Sequence, residues 1–320
     1  MERRALNFRK GLLKACLPAI RRLPWPTGAK LLASFGKLEY RLHRPLRQRF
    51  QEAVRQGEKI LNCSWDVDRV CLELAGQQIL WRSRDLLLDG CDSRQALAKF
   101  EVTGREHLDR ALSEAKGCLV LTSHFGAHML PAHWLLREEY DTRLYMERPR
   151  SISRFMSERF ANEGPLSQDK LFISRKGDAT ESASSIVRAA RVLRSGRVLF
   201  IAGDVRWSGQ MTEVARFLGH PRRFSTTWTE LAWMTGAPVV VVFCRLGPDF
   251  RFHLEFREPF WVVRESGGLR LAASWAQRFL NLVEDQIRRY PGSSNDYLFW
   301  EPPLTEELKG PAEGAGSSAA

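Results

Sequence analysis

From Gly117 onward the chain alternates short, almost wholly apolar runs with longer amphipathic ones, and this alternation restricts the fold more than any other feature. Cys118-Leu119-Val120-Leu121, Arg143-Leu144-Tyr145-Met146, Lys170-Leu171-Phe172-Ile173, Arg197-Val198-Leu199-Phe200-Ile201 and Pro238-Val239-Val240-Val241-Val242-Phe243 read as strands. A strand with no polar face must be covered on both sides, which is the situation of a central strand in a parallel sheet. The amphipathic stretches 129–139, 152–160, 181–194, 228–234 and 271–289 supply the covering helices. Strands alternating with helices predict an α/β fold, a mostly parallel sheet flanked by helices. The alternating segment 252–256 is expected to pair antiparallel at a sheet edge. Residues 50–116 lack a period of two and read as helical, and the chain shows no internal repeat.

A length of 320 residues gives ample material for a core. The mean hydropathy of −0.32 argues against a polytopic membrane protein. The six cysteines (Cys16, Cys63, Cys71, Cys91, Cys118, Cys244) include no CxxC pair, so reduced thiols are expected rather than a zinc ribbon or a disulfide scaffold.

Charge divides the chain. Of 49 Lys and Arg, thirteen fall in residues 1–50, against two acids, Glu2 and Glu39, so nearly all of the formal net charge of +12 belongs to this arm. Leu6, Phe8, Leu12, Leu13, Leu17 and Ile20 interleave with Arg9, Lys10, Lys14, Arg21 and Arg22. The pattern returns in Trp25, Leu31, Leu32, Phe35 and Leu38 among Lys30, Lys37 and Arg41. Apolar residues at helical spacing with cationic neighbours suit helices lying in an anionic bilayer interface. Packing on the domain with a solvated basic face and a nucleic-acid arm are the competing readings of the charge alone. No run approaches the ~18–20 apolar residues of a membrane span. We divide the chain into a basic amphipathic arm (1–50), an α/β domain (51–308) and a Gly/Ala/Ser-rich tail (309–320) expected to be disordered.

Ligands of open parallel sheets gather beyond the carboxyl ends of the strands. There the sequence places Ser123-His124-Phe125-Gly126, Glu147-Arg148-Pro149, Ser174-Arg175-Lys176-Gly177-Asp178 and Gly203-Asp204. A histidine, two arginines and an aspartate arriving from separate strands form a candidate catalytic set. His124, His128 and His133 have a spacing that metal ligands on one helical face could have, but the turn at Gly126 and the intervening Pro131 disfavour such a face. Gly203 to Gly209 fits neither GxGxxG nor GxxxxGK[ST], which argues against a nucleotide loop. Trp207, Phe217, Phe224, Trp228 and Trp233 suit core packing, with an acyl-chain slot as the alternative.

On these segments the chain resembles the late acyltransferases of lipid A synthesis, the Kdo-dependent lauroyl and myristoyl transferases, within the lysophospholipid acyltransferase-like superfamily. The carrying residues are Leu121-Thr122-Ser123-His124-Phe125-Gly126, Arg148-Pro149, Arg175-Lys176, Gly196-Arg197-Val198 leading to Gly203-Asp204, Phe217-Leu218-Gly219, Thr235-Gly236-Ala237-Pro238-Val239, Tyr290-Pro291 and Tyr297-Leu298-Phe299-Trp300. The resemblance implies a glycerolipid-acyltransferase-like fold and transfer of a fatty acyl chain from acyl carrier protein or coenzyme A to a glycolipid hydroxyl, as in lipopolysaccharide assembly. The thioester is then a co-substrate and no cofactor is expected. It also implies work at the cytoplasmic face of a bacterial inner membrane, peripheral or monotopic, on an anionic surface and without nucleic acid. By resemblance His124 is the base, with Arg175 and Asp204 serving the active site; Arg148, Lys176, Gly126 and Ser123 are expected at the substrate, and no metal.

One departure stands out. The family motif is His, four residues, then Glu or Asp, and the acid position here is Met129. Loss of the carboxylate from a catalytic triad slows chemistry by as much as ~10⁴-fold. Three substitutes are open: Asp204 or Glu147 reaching the imidazole from another strand, His128 replacing the orienting group, or His133 with Glu138 supplying the spacing.

Overall fold

The computed structural model describes Cys16 and residues 18–20, 22–88, 91–147, 154–161, 172–173, 179–206, 211–263 and 271–303. Arg148, Arg175, Lys176, Trp207, the first part of the arm and the 309–320 tail lie outside the described residues.

Helices α1 (Trp25–Leu42), α2 (Arg44–Leu61), α3 (Val67–Leu88) and α4 (Ser93–Leu97) precede the sheet region. There follow β1 (Phe100–Thr103), α5 (Arg105–Ser113), β2 (Cys118–Thr122), α6 (Leu130–Arg137), β3 (Thr142–Glu147), α7 (Arg154–Ala161), β4 (Phe172–Ile173), α8 (Ala179–Arg194) and β5 (Val198–Ala202). A hairpin, β6 (Thr212–Phe217) and β7 (His220–Ser225), leads to α9 (Thr227–Thr235), β8 (Val239–Leu246), β9 (Phe252–Phe256) and α10 (Leu271–Arg289). The seven-stranded sheet has the order β1-β9-β8-β2-β5-β3-β4. All its pairings are parallel except that of β8 with β9.

The α/β expectation is met, and the period of two explains how. Leu119, Leu121, Leu199, Ile201, Val239 and Val241 face one layer, where Phe279, Val283 and Ile287 of α10 cover them. Val120, Val198, Phe200, Val240 and Val242 face the other, under Leu130, Trp134 and Leu135 of α6. Each such side chain, fully withdrawn from water, contributes about 1.5–3 kcal/mol.

Two sequence expectations need correction. The segment Phe252–Phe256 pairs antiparallel with β8, as its alternation suggested, but it is not an edge, because β1 pairs outside it from Phe100↔Phe252 to Thr103↔Glu255. Nor is 50–116 wholly helical, since it contains β1. Four residues, Phe-Glu-Val-Thr, are too few to establish a period; the waiting edge of β9 makes them a strand. None of the six cysteines is in a disulfide bond.

Helix α1 is joined to the body through small residues. Gly28, Ala29, Ala33 and Gly36 are buried with Leu32 and Tyr40, and a Cβ on Gly36 would lie 2.1 Å from the Ala75 carbonyl oxygen of α3. Trp25 anchors its start, the indole N–H donating to the Phe250 carbonyl and the ring lying 5.1 Å from Phe252. The outer face carries Leu31, Phe35, Leu38 and Leu42, and Leu42 is 76% exposed. No described helix is long and apolar enough to cross a membrane.

Gly36→Val should therefore destabilise the protein by about 2–4 kcal/mol, because backbone rather than a yielding side chain opposes the new atoms. Leu38→Ser, on the opposite face, should change stability by less than about 0.5 kcal/mol. Urea midpoints measure both.

Candidate active site

Strand β2 ends at Thr122, and Ser123-His124-Phe125-Gly126-Ala127 turns into α6. This turn can be built only with glycine at 126, where φ is 58° and a Cβ would lie 2.1 Å from the Cys244 carbonyl oxygen. The close approach is used: the Ala127 N–H donates to that oxygen at 2.6 Å, and the Gly126 N–H donates to the Ser293 carbonyl at 2.8 Å. Asn295, itself left-handed with φ 53°, donates its side-chain amide to the carbonyls of Gly126, at 2.8 Å, and His124. A buried turn thus has its polar backbone groups satisfied by β8 and by the segment after α10.

On the neighbouring strand, Gly203 N–H donates to the Thr122 carbonyl at 2.9 Å, which ties the exit of β5 to that of β2 and sets Asp204 beside His124. The carboxylate lies 3.0 and 3.1 Å from Nδ1 of the imidazole and accepts the His124 backbone N–H at 3.0 Å. The Tyr297 hydroxyl donates a further bond to the same carboxylate. Asp204's side chain is fully buried, whereas that of His124 is 42% exposed.

Burial alone would push the Asp204 carboxyl up, but the imidazole and the Tyr297 hydroxyl, with the His124 N–H, outweigh it and hold the carboxyl below the usual carboxylate range. Burial, then the adjacent Asp204 charge, pushes the Tyr297 phenol well above its ordinary value, so it remains a donor. An ionised carboxylate only accepts, so the Nδ1 it faces carries the proton, and in the neutral ring Nε2 then keeps its lone pair.

Of the three substitutes for the absent acid, the geometry brings Asp204 to the imidazole. The side chain of Glu147 lies outside the described set. The His128 ring lies 4.9 Å from that of His124, tilted by 47°. His133 is buried on α6 and stacked on Phe155, while Glu138 pairs with Arg105 at 2.8 Å, so the arithmetic spacing of His133 and Glu138 leads to other partners. Met129 stands at the start of α6 and makes no side-chain capping bond. Ser123 is buried and accepts the Phe125 N–H at 3.4 Å; with Gly126, it is engaged in holding the turn.

Phe217, Phe224 and Trp228 are core residues, as packing suggested, whereas Trp233 is 41% exposed. Among the described residues, the side chains near enough to share a metal ion are Glu101, Asp249 and His253, on β1 and the β8–β9 connection with β9; β8 stands between β9 and the strand that leads to His124. Two residues of the site escaped the sequence reading. Tyr297 figured only in the closing motif, and Asn295 not at all; the run of small polar residues Ser293-Ser294-Asn295 after Pro291-Gly292 was the available signal.

A mostly parallel α/β sheet with a histidine–aspartate pair past the carboxyl ends of adjacent strands is an arrangement of the kind that general-base chemistry requires. The particular family follows from the sequence: the model of the bacterial lipid A biosynthesis acyltransferase family matches residues 86–295, and the chain belongs to that family. The match leaves out α1 and α2, most of α3, and Tyr297. No curated protein matches the chain.

Because the folded pKa of Asp204 lies below its unfolded value, its ionisation adds stability that is complete well above about pH 3.9 and is lost as pH falls through the folded value. Tyr297→Phe removes one donor and should cost about 1–3 kcal/mol at pH 7. That difference from wild type should shrink as pH falls below the ordinary carboxylate range and through the lowered folded value of Asp204; an acid series of urea unfolding measures it, and a gap that stays constant down to acid unfolding would count against the charged network.

Proposed function

We propose that this protein is an acyltransferase that moves a fatty acyl chain from a thioester, of acyl carrier protein or coenzyme A, to a hydroxyl of a glycolipid such as a lipid A precursor. The observation that carries the reading is the contact of Asp204 with Nδ1 of His124, which supplies from β5 the carboxylate that Met129 does not. With Nδ1–H held by the carboxylate, Nε2 accepts the hydroxyl proton as the oxygen attacks the thioester carbonyl. Asp204 stabilises the imidazolium that results. Collapse of the tetrahedral intermediate breaks the C–S bond, and Nε2 returns the proton to the sulfur. Arg175 is proposed at the oxyanion or a phosphate, with Arg148 and Lys176 at the substrate.

We further propose that the arm docks on the anionic cytoplasmic leaflet of the inner membrane. Leu31, Phe35, Leu38 and Leu42 form an exposed stripe on α1 among Lys30, Lys37 and Arg41. The helix is fixed through Trp25 to the turn after β8, at the carboxyl pole where His124 lies. That placement supports acceptor entry directly from the bilayer. A second reading, a lipid- or carrier-protein-binding homologue without catalysis, is favoured by Met129 alone.

A transfer assay separates the two. Wild type should acylate a lipid A precursor from acyl carrier protein or coenzyme A, His124→Ala should fall to background, and Asp204→Asn should lose about 10³–10⁴-fold in kcat. Wild type at background with either donor would leave the binding reading. Flotation with anionic liposomes should weaken in high salt and in Leu38→Asp/Leu42→Asp; flotation unchanged by both would contradict the docking.

A further inference from the structure

Two arginines outside the candidate catalytic set lie on, or follow, the strands that neighbour the one leading to His124. Sheet order places β2 between β8 and β5. Arg245 lies near the carboxyl end of β8, one residue past Cys244, whose carbonyl grips the His124 turn. Arg206 follows β5, two residues past Asp204, and bridges to Phe224. The strands that lead to the two arginines therefore stand on either side of the strand that leads to His124.

Each guanidinium is held by an aromatic ring. Cζ of Arg245 lies 4.2 Å from the Tyr290 centroid, and Cζ of Arg206 lies 4.2 Å from the Trp300 centroid. These rings belong to the segments that hold the site. Tyr290 precedes the turn whose Ser293 takes the Gly126 N–H, and Trp300 lies 4.9 Å from Tyr297, the donor to Asp204. Among the described residues no carboxylate pairs with either arginine, and Arg206 is exposed. Ring stacking uses the face of a guanidinium and leaves its fork of N–H donors for a planar or tetrahedral oxyanion.

We infer that Arg206 and Arg245 form a phosphate clamp astride His124, positioning a phosphorylated substrate so that its reacting group meets Nε2. The inference rests on the acyl-transfer reading for the carriers of that phosphate, and two are possible by chemistry: the phosphopantetheine of the donor and a sugar phosphate of the acceptor. Bidentate, charge-assisted pairing gives such a site its selectivity over the unphosphorylated molecule.

The test is binding to the full chain by titration calorimetry or NMR, with 4′-phosphopantetheine against pantetheine and glucosamine 1-phosphate against glucosamine. Wild type should prefer the phosphorylated member of at least one pair by about ten-fold or more, and the pair showing the preference identifies the carrier. Arg206→Gln/Arg245→Gln should abolish that preference while retaining the wild-type circular dichroism; Arg206→Lys/Arg245→Lys should restore part of it. No preference in wild type with either pair, or a preference that survives the double Gln variant, overturns the clamp. Because binding needs no turnover, a clamp that works in a protein without acyl transfer would sink the proposed function and leave this inference standing, and the converse also holds.

Discussion

A fully buried carboxylate is tolerated here because donors converge on it. Asp204 accepts from the His124 backbone, from the His124 ring and from Tyr297, three bonds arriving from two separate parts of the chain. Removed from water without such partners, a carboxylate would take up a proton instead. The requirement runs in both directions. The donors are placed only if β5 exits beside β2 and the segment after α10 folds back over the sheet, so the ionised state of Asp204 depends on the tertiary structure being complete.

The turn that carries His124 obeys the same logic. Its direction is set by a positive φ at Gly126, its clearance by the missing Cβ opposite Cys244, and its backbone polarity by Ser293 and Asn295. Met129 leaves the acid position of the family motif without a carboxylate, and the contact with Asp204 makes orientation of the ring independent of that position. The imidazole so held keeps 42% of its surface exposed.

Much of the sheet was legible because its signal is local. Val239–Leu246 is a strand in the sequence for the same reason it is one in the structure: consecutive apolar side chains need cover on two faces. His124 and Asp204 could be set together because ligands collect past strand ends, a rule that needs only the strands. What stayed hidden depends on contacts distant in sequence. The strand Phe100–Thr103 is defined by β9, some 150 residues later, and the hairpin β6–β7 by aromatic packing of Phe217 against Tyr297 and Trp300. Asn295 serves a turn 169 to 171 residues upstream and Tyr297 a carboxylate 93 residues upstream, and no spacing in the sequence announces such partnerships. Which of three groups would replace the missing acid was likewise undecidable from composition or period, because the answer is a register between strands.

The central claim is that Asp204 fixes the tautomer of His124 and so leaves Nε2 as a base. Nitrogen-15 NMR of the imidazoles in the intact protein reads this directly. The account predicts that His124, when neutral, carries its proton on Nδ1, with the signal of an unprotonated nitrogen at Nε2, and that Asp204→Asn disturbs this assignment. A neutral His124 protonated on Nε2, with Nδ1 bare against Asp204, would contradict it.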